Sequence, residues 1–369
     1  MKRRVRVLIV DDSVTIRKLV SDLVAAQPDL EVAGVAANGR IALAKIPQVC
    51  PDVLTLDVEM PELDGLQTLA ELRKTHPRLP VIMFSSLTER AAAATLEALA
   101  LGANDYVAKP SGASGLAGAL DRVREELLPK LRHFGATSMP PVGAGAELLG
   151  VTSRRPLPSL SVRRGSGVDV IALGCSTGGP NALSQVFARL PPDLPVPILI
   201  TQHMPPIFTK LLADRLTANS QLKVHEARDG DVLVAGQAWL APGEFHLGLE
   251  RVAGQVRVRL NQEPPENSCR PSVDVMLRAV ASVYGGRVLG VIMTGMGQDG
   301  LRGCQALHDL GAEVIVQDEA SSVVWGMPGL VARAGLANAV LPLDGVTDEI
   351  IRRAGARPPL VSAPAERRA

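Results

Sequence analysis

Aromatic residues are nearly missing from this chain. Phe, Tyr and Trp make up 2% of its 369 residues, too few for the stacking platforms that hold single-stranded nucleic acid. An excess of one charge is missing as well. The chain carries 39 Lys and Arg against 38 Asp and Glu, a net charge of +1, so no field steers it to nucleic acid or an anionic membrane, and no nucleic-acid partner is expected. No basic recognition helix follows the first half of the chain, which disfavours a DNA-binding output. The four cysteines, Cys50, Cys175, Cys269 and Cys304, form no C-x-x-C pair. That spacing offers neither a zinc ribbon nor a disulfide frame and suits a reduced, cytoplasmic protein. No apolar run is long enough to span a bilayer. The basic start at Met1 meets Asp11 and Asp12 too soon for a signal peptide. Direct membrane insertion is not expected. What remains is a chain that is 46% apolar and long enough for two domains.

The stretch VIALGCSTGGP, residues 170–180, organises the second half. Val170 to Leu173 reads as a buried strand, and a helical pattern follows from Asn181. Ser176 therefore sits on a tight, glycine-flanked turn beside free amides at a helix start. The letters satisfy G-x-S-x-G but neither the dinucleotide fingerprint nor the phosphate loop with Lys and Ser/Thr. Two later stretches, TQHMPP around His203 and MTGMGQDG ending in Asp299 and Gly300, also follow strand-like runs. Singly, these residues read as a turn, a core histidine and a helix N-cap. Together, at three strand ends, they point to a hydrolase. Ser176 is then the nucleophile, His203 the base and Asp299 the group that orients His203. The backbone amides of Thr177 and Met296 are candidate donors to the developing oxyanion. Strand alternation turns Cys175 away from Ser176 and into the core. Between Asp231 and Leu260, short alternating runs predict an antiparallel ribbon that includes Trp239 and Leu240.

Residues 5 to about 125 alternate strands and helices in five units, which predicts a doubly wound parallel sheet. The strand ends carry Asp11, Asp12, Asp57, Ser85 and Lys109. Three converging carboxylates repel one another unless a cation joins them, and hard oxygen ligands suit Mg²⁺. Asp57 could then accept a phosphoryl group as an acyl phosphate, with Lys109 pairing with the new charge and Ser85 offering its hydroxyl.

The motifs VDDS, LDVEMPELDG, FSS and KP, in that order, resemble the receiver domain of two-component response regulators. The resemblance implies a flavodoxin-like domain over residues 1–125. It also implies metal ligands at Asp11, Asp12, Asp57 and the Glu59 carbonyl, and phosphorylation of Asp57 by a partner histidine kinase. Ser85, Tyr106 and Lys109 would form its switch.

Arg124 to Arg132 finish a helix of mixed charge, and from Gly135 to about Gly167 the hydrophobic period is lost among Pro, Gly, Ser and Arg, so a flexible linker is expected over 126–167. A catalytic domain is expected over 168–354 and a disordered tail over 355–369. In that domain GCSTGGP, TQHMP, RPSVDVM, VIMTGMGQDG and VVWGMPG resemble the receptor-modifying methylesterases of bacterial chemotaxis. The resemblance implies a parallel-sheet α/β domain that hydrolyses glutamyl methyl esters of methyl-accepting chemoreceptors, releasing methanol and also deamidating glutamines. No cofactor is expected for ester hydrolysis, a chemosensory histidine kinase is the expected partner, and a monomer is expected. Ser176, His203 and Asp299 fall on the family triad, and Thr177 and Met296 on its oxyanion positions. Two residues depart from the family pattern: Cys269 stands where His is expected and Cys175 where Ala is commoner. Cys269 is expected to alter the substrate rim. Arg270 is expected either to face an acidic receptor surface or to form a structural ion pair.

Overall fold

The structure is a computed structural model that describes residues 3–110, 116–137 and 167–355. The chain divides into two compact units between Val162 and Arg163. Of the linker expected over 126–167, residues 126–137 instead continue a helix, Leu116–Thr137, because Leu127, Leu131 and Phe134 are buried; residues 138–166 and the tail beyond Gly355 lie outside the described residues.

The first unit contains β1 (Val5–Val10), α1 (Val14–Ala25), β2 (Leu30–Ala36), α2 (Gly39–Val49), β3 (Val53–Asp57), α3 (Gly65–Thr75), β4 (Val81–Ser85), α4 (Glu89–Ala100), β5 (Asp105–Ala108) and α5 (Leu116–Thr137). All strand pairs are parallel, in the order β2-β1-β3-β4-β5. β3 and β4 are buried along their full length, as expected of strands covered by helices on both faces. The helix starts follow from local chemistry: Ser13, Asn38 and Thr88 each accept an N3 amide, and Asp64 with Gln67 forms a capping box. The strand order reverses between β1 and β3, so Asp11 and Asp57 flank the crevice where such sheets bind ligands.

The second unit continues with β6 (Val170–Cys175), α6 (Gly179–Phe187), β7 (Ile198–Gln202), α7 (Pro206–Ala218), β8 (Lys223–Glu226), β9 (Gln237–Leu240), β10 (His246–Val252), β11 (Gln255–Asn261), α8 (Val273–Tyr284), β12 (Val288–Ile292), α9 (Leu301–Asp309), β13 (Glu313–Gln317), α10 (Met327–Arg333), β14 (Ala339–Leu341) and α11 (Leu343–Ala354). Seven parallel strands run β14-β13-β12-β6-β7-β9-β8. β10 and β11 form a separate antiparallel ribbon. The Trp239–Leu240 run expected in that ribbon instead belongs to β9 of the main sheet. Both residues are almost fully buried, and β9 pairs in parallel with both β7 and β8. A strand buried on both faces cannot serve as a ribbon with one wet face. Strand order reverses at β12 and β6, and β7 lies on the other side of β6. The three sequence motifs therefore share one sheet edge.

Gly243, between β9 and β10, shows how tightly that edge is packed. A Cβ there would run into the backbone of Pro205 and Pro206 at the start of α7, just after His203. Gly243→Ala is expected to lower the unfolding free energy by about 1–3 kcal/mol through overpacking. Chemical denaturation of the variant checks this, and an unchanged midpoint would show that the loop yields freely.

Candidate active site

β6 ends at Cys175, so Ser176 is the first residue beyond the central strand. Its N–H donates to the Thr294 carbonyl at 3.0 Å. Its own carbonyl accepts from Gly179 N at 2.8 Å and Gln202 Nε2 at 3.0 Å. The turn is thus fixed from both neighbouring strands, and Ser176 itself is half-buried. Gly178 caps α6 in the left-handed region, φ 78°, where a side chain would be strained. Cys175 faces the core as expected, and its thiol donates to Gln202 Oε1 at 3.1 Å.

His203 follows β7, and its N–H donates to the Cys175 carbonyl at 3.4 Å. The loop after β12 is drawn against the same turn. Thr294 Oγ1 donates to the Thr177 carbonyl at 2.9 Å, and Gly295 lies so close that a Cβ on it would be 3.0 Å from Ser176 Cβ. Thr177 and Met296 therefore flank the Ser176 turn.

Asp299 closes the arrangement. Its Oδ2 lies 2.8 Å from His203 Nε2. The lone-residue reading of Asp299 as the cap of its own helix is not what the structure shows: Gly300 is the N-cap of α9, and the carboxylate faces the start of α8. There it accepts from Val273 N at 2.6 Å, Asp274 N at 3.1 Å and Ser272 Oγ at 2.8 Å. Asn267 Nδ2 adds a fourth donor at 3.0 Å. Burial alone would raise its pKa. The hydrogen bond and charge of His203 and the α8 amides outweigh burial, and the carboxyl is held down at about 2. The stability this contributes is present above the ordinary carboxylate range and is lost as pH falls through the folded value.

Sequence reasoning did not assign Asn267, Ser272 or Gln202 to the site. Ser272 is the N-cap of α8, a role that does not by itself mark it as a donor to a carboxylate far along the chain. Cys269, expected to alter the substrate rim, has its Sγ 3.5 Å from His203 Nδ1 and 3.3 Å from the Asn267 carbonyl. Arg270 donates to the carbonyls of Gln262 and Glu263 at 3.1 and 3.2 Å; those backbone contacts were not among the roles read from sequence.

Burial disfavours the His203 imidazolium. The Cys269 sulfur and the Asp299 carboxylate, one on each ring nitrogen, outweigh it, so His203 keeps its proton well above the usual histidine range.

In the first unit, Asp11, Asp12 and Asp57 bring carboxylate oxygens within 4.8 Å of one another. Lys109 Nζ lies 2.8 Å from both Asp11 Oδ2 and Asp57 Oδ2. That single ammonium is shared between the two buried oxygens, which have no further donor, and converging hard oxygens of this kind fit a Mg²⁺ ion. Burial, with the like charge of Asp11, raises the Asp57 pKa to about 6 against the pull of Lys109. Glu59 N donates to Asp57 Oδ1 at 3.4 Å. Ser85 is buried; its hydroxyl donates to the Ser86 carbonyl at 3.1 Å and meets Thr95 Oγ1 at 2.8 Å. Tyr106 is buried on β5, with the Lys130 ammonium 5.6 Å from its ring centroid.

A histidine-selective NMR titration checks the electrostatics of the second site. His203 is expected to titrate above the unperturbed value of about 6.5 and to move down in both Asp299→Asn and Cys269→Ala. An ordinary wild-type value would contradict the paired geometry.

Comparison with known proteins assigns a family to each unit. Residues 171–350 match the CheB methylesterase family, and residues 7–121 match the response regulator receiver domain family. A protein-glutamate methylesterase/protein-glutamine glutaminase of Trichodesmium erythraeum is 50% identical over 352 residues, covering 95% of this chain and 99% of that protein. Its counterpart from Nocardioides sp. is 47% identical over 365 residues, covering 97% and 98%. The solved Thermotoga maritima CheB methylesterase catalytic domain is 41% identical with a TM-score of 0.50, over 51% of this chain and 99% of that one. The chain belongs to the CheB methylesterase family, with a response regulator receiver domain ahead of the catalytic domain.

Proposed function

We propose that the second unit hydrolyses methyl esters of glutamyl side chains on chemoreceptors, releasing methanol, and deamidates receptor glutamines, and that phosphorylation of Asp57 in the first unit activates it. The observation that carries this reading is the buried Asp299–His203 pair at 2.8 Å, on the strand end adjacent to the pinned Ser176 turn.

The chemistry follows from the ring nitrogens. A nitrogen facing a carboxylate carries the proton, so in the neutral imidazole, the form that gains population as pH rises toward the raised His203 pKa, Nε2 is the N–H and Nδ1 is the basic nitrogen. Nδ1 takes the proton of Ser176 Oγ as the oxygen attacks the ester carbonyl. The amides of Thr177 and Met296 receive the oxyanion. Collapse of the tetrahedral intermediate breaks the bond to the methoxy oxygen, which leaves as methanol with the proton from His203. Water, deprotonated by the same nitrogen, then releases the glutamate and restores Ser176. With a glutamine side chain the leaving group is ammonia. Asp299 stays ionised throughout and stabilises the imidazolium.

In the first unit, Asp57 accepts the phosphoryl group from a histidine kinase, and Lys109 is placed to pair with it. Asp11, Asp12, Asp57 and the Glu59 carbonyl would hold Mg²⁺, which neutralises phosphoryl oxygens when bound. Ser85 and Tyr106 are the residues proposed to rearrange.

Methyl-labelled receptor membranes are expected to release methanol faster when a small phosphodonor is added, and Asp57→Asn is expected to remove that increment. Ser176→Ala is expected to lower the rate by at least about 10³-fold while remaining folded. Full activity in Ser176→Ala would end the acyl-transfer reading. Mg²⁺ is expected to raise the melting temperature of the first unit by mass action, and Asp11→Asn with Asp57→Asn is expected to abolish the rise. A shift that persists in the double variant would place the ion elsewhere.

A further inference from the structure

We propose that His203 Nδ1 and Cys269 Sγ form a two-armed claw for a thiophilic divalent cation of the zinc class, and that the bound ion shuts the site by occupying the ring nitrogen Ser176 needs. The closure half of this statement rests on the esterase reading above; the binding half does not.

The spacing is that of a tetrahedral ligand shell. Zinc–nitrogen and zinc–sulfur bonds of about 2.0–2.1 and 2.3 Å, opened to a tetrahedral angle, set the two ligand atoms about 3.5 Å apart. Nδ1 and Sγ are 3.5 Å apart before any ion arrives. Asp299, whose ligand oxygen lies within 4.8 Å of both, has its carboxylate filled by donors from α8, Asn267 and His203. Its role is therefore to hold the proton on Nε2 and aim the Nδ1 lone pair at the sulfur, the usual carboxylate–histidine–metal relay. Both arms are only partly buried.

The sulfur is held in place by backbone, not by chance packing. Asn267 and Ser268 adopt left-handed conformations, φ 52° and 62°. Glu266 and Cys269 exchange backbone hydrogen bonds at 3.1 and 2.9 Å, and Glu266 is anchored by Arg278 at 2.8 Å. The other cysteines offer nothing comparable. Cys175 and Cys304 are buried, with their thiols pushed up by that burial, and Cys50 is exposed on the first unit. A thiolate–imidazole pair selects zinc-like ions, whereas the all-carboxylate set around Asp57 selects hard ones.

Cobalt(II) serves as the spectroscopic substitute for zinc. Titrated into the full chain, it is expected to give a thiolate-to-metal charge-transfer band that saturates at one equivalent. The band is expected to vanish in Cys269→Ser and His203→Gln and to persist in Cys50→Ser, with each variant melting cooperatively. In the wild type, zinc is expected to protect Cys269 from alkylation, read by peptide mass, which needs no variant to fold. Zinc is also expected to stop methanol release, a chelator to restore it, and Cys269→Ser to raise the half-inhibitory concentration by at least about 10-fold. No band in the wild type, or a band that survives in folded Cys269→Ser, overturns the claw. A band with hydrolysis unaffected by zinc overturns competition for Nδ1. A band in a protein that never hydrolyses ester supports the claw and counts against the esterase reading instead.

Discussion

The catalytic edge depends on keeping one carboxylate charged inside the protein. Asp299 is 2% exposed, and an isolated buried carboxylate costs several kcal/mol even after relaxation. What offsets this is the start of α8. The first amides of that helix have no intrahelical partner, and the positive end of its dipole faces the same point. Asp299 supplies the missing acceptor, and in return its charge is fixed where His203 needs it. The neighbouring Asp274 repeats the device, accepting from Gly303 N at 2.6 Å and from Asn267 at 3.0 Å. The packing of α8 against α9 is therefore part of the site and not merely its support.

The receiver solves the opposite problem. Its carboxylates have fewer donors: Asp11 accepts from Ser13 N at the start of α1 at 2.9 Å, Asp57 from Glu59 N at 3.4 Å, and one lysine stands against both together. The result is a raised Asp57 and two oxygens that share one ammonium. Such a centre is poor at holding its own charge and correspondingly receptive to a hard cation. Both sheets place their chemistry where strand order reverses, but one edge has its anion satisfied by protein and the other leaves it for a ligand.

How much of this could be read in advance follows the reach of each interaction. Asp11, Asp57, Ser176 and His203 were legible because each directly follows or ends an apolar run, so the local pattern already places it at a strand end. β9 was not, because Trp239 and Leu240 make a run too short to tell a ribbon from a buried parallel strand, and its partners in β7 and β8 are set by non-local pairing. The donors to Asp299 were not legible for the same reason. Ser272 signals a helix start, but nothing near it says which acceptor the start will face. Cys269 was noticed as a departure from pattern, yet its contact with His203 depends on a turn through two left-handed residues, Asn267 and Ser268, that carry no glycine to announce it.

The position of Cys269 then raises a question of competition at Nδ1. With Asp299 holding Nε2, this nitrogen is the one the proposed mechanism uses to accept the Ser176 proton, and a thiol already stands 3.5 Å away. A thiol has a single proton and two acceptors within reach, Nδ1 and the Asn267 carbonyl at 3.3 Å. When it donates to the carbonyl, the imidazole lone pair is free and the sulfur is only a weak, polarisable neighbour. The energetic difference between these two weak bonds is small beside the charge-assisted Asp299–His203 bond, so the thiol yields to a stronger donor such as the serine hydroxyl. A cation does not yield in that way, because it takes the lone pair and the sulfur together. The same geometry that leaves proton transfer open therefore makes the site sensitive to any ion that prefers sulfur and nitrogen.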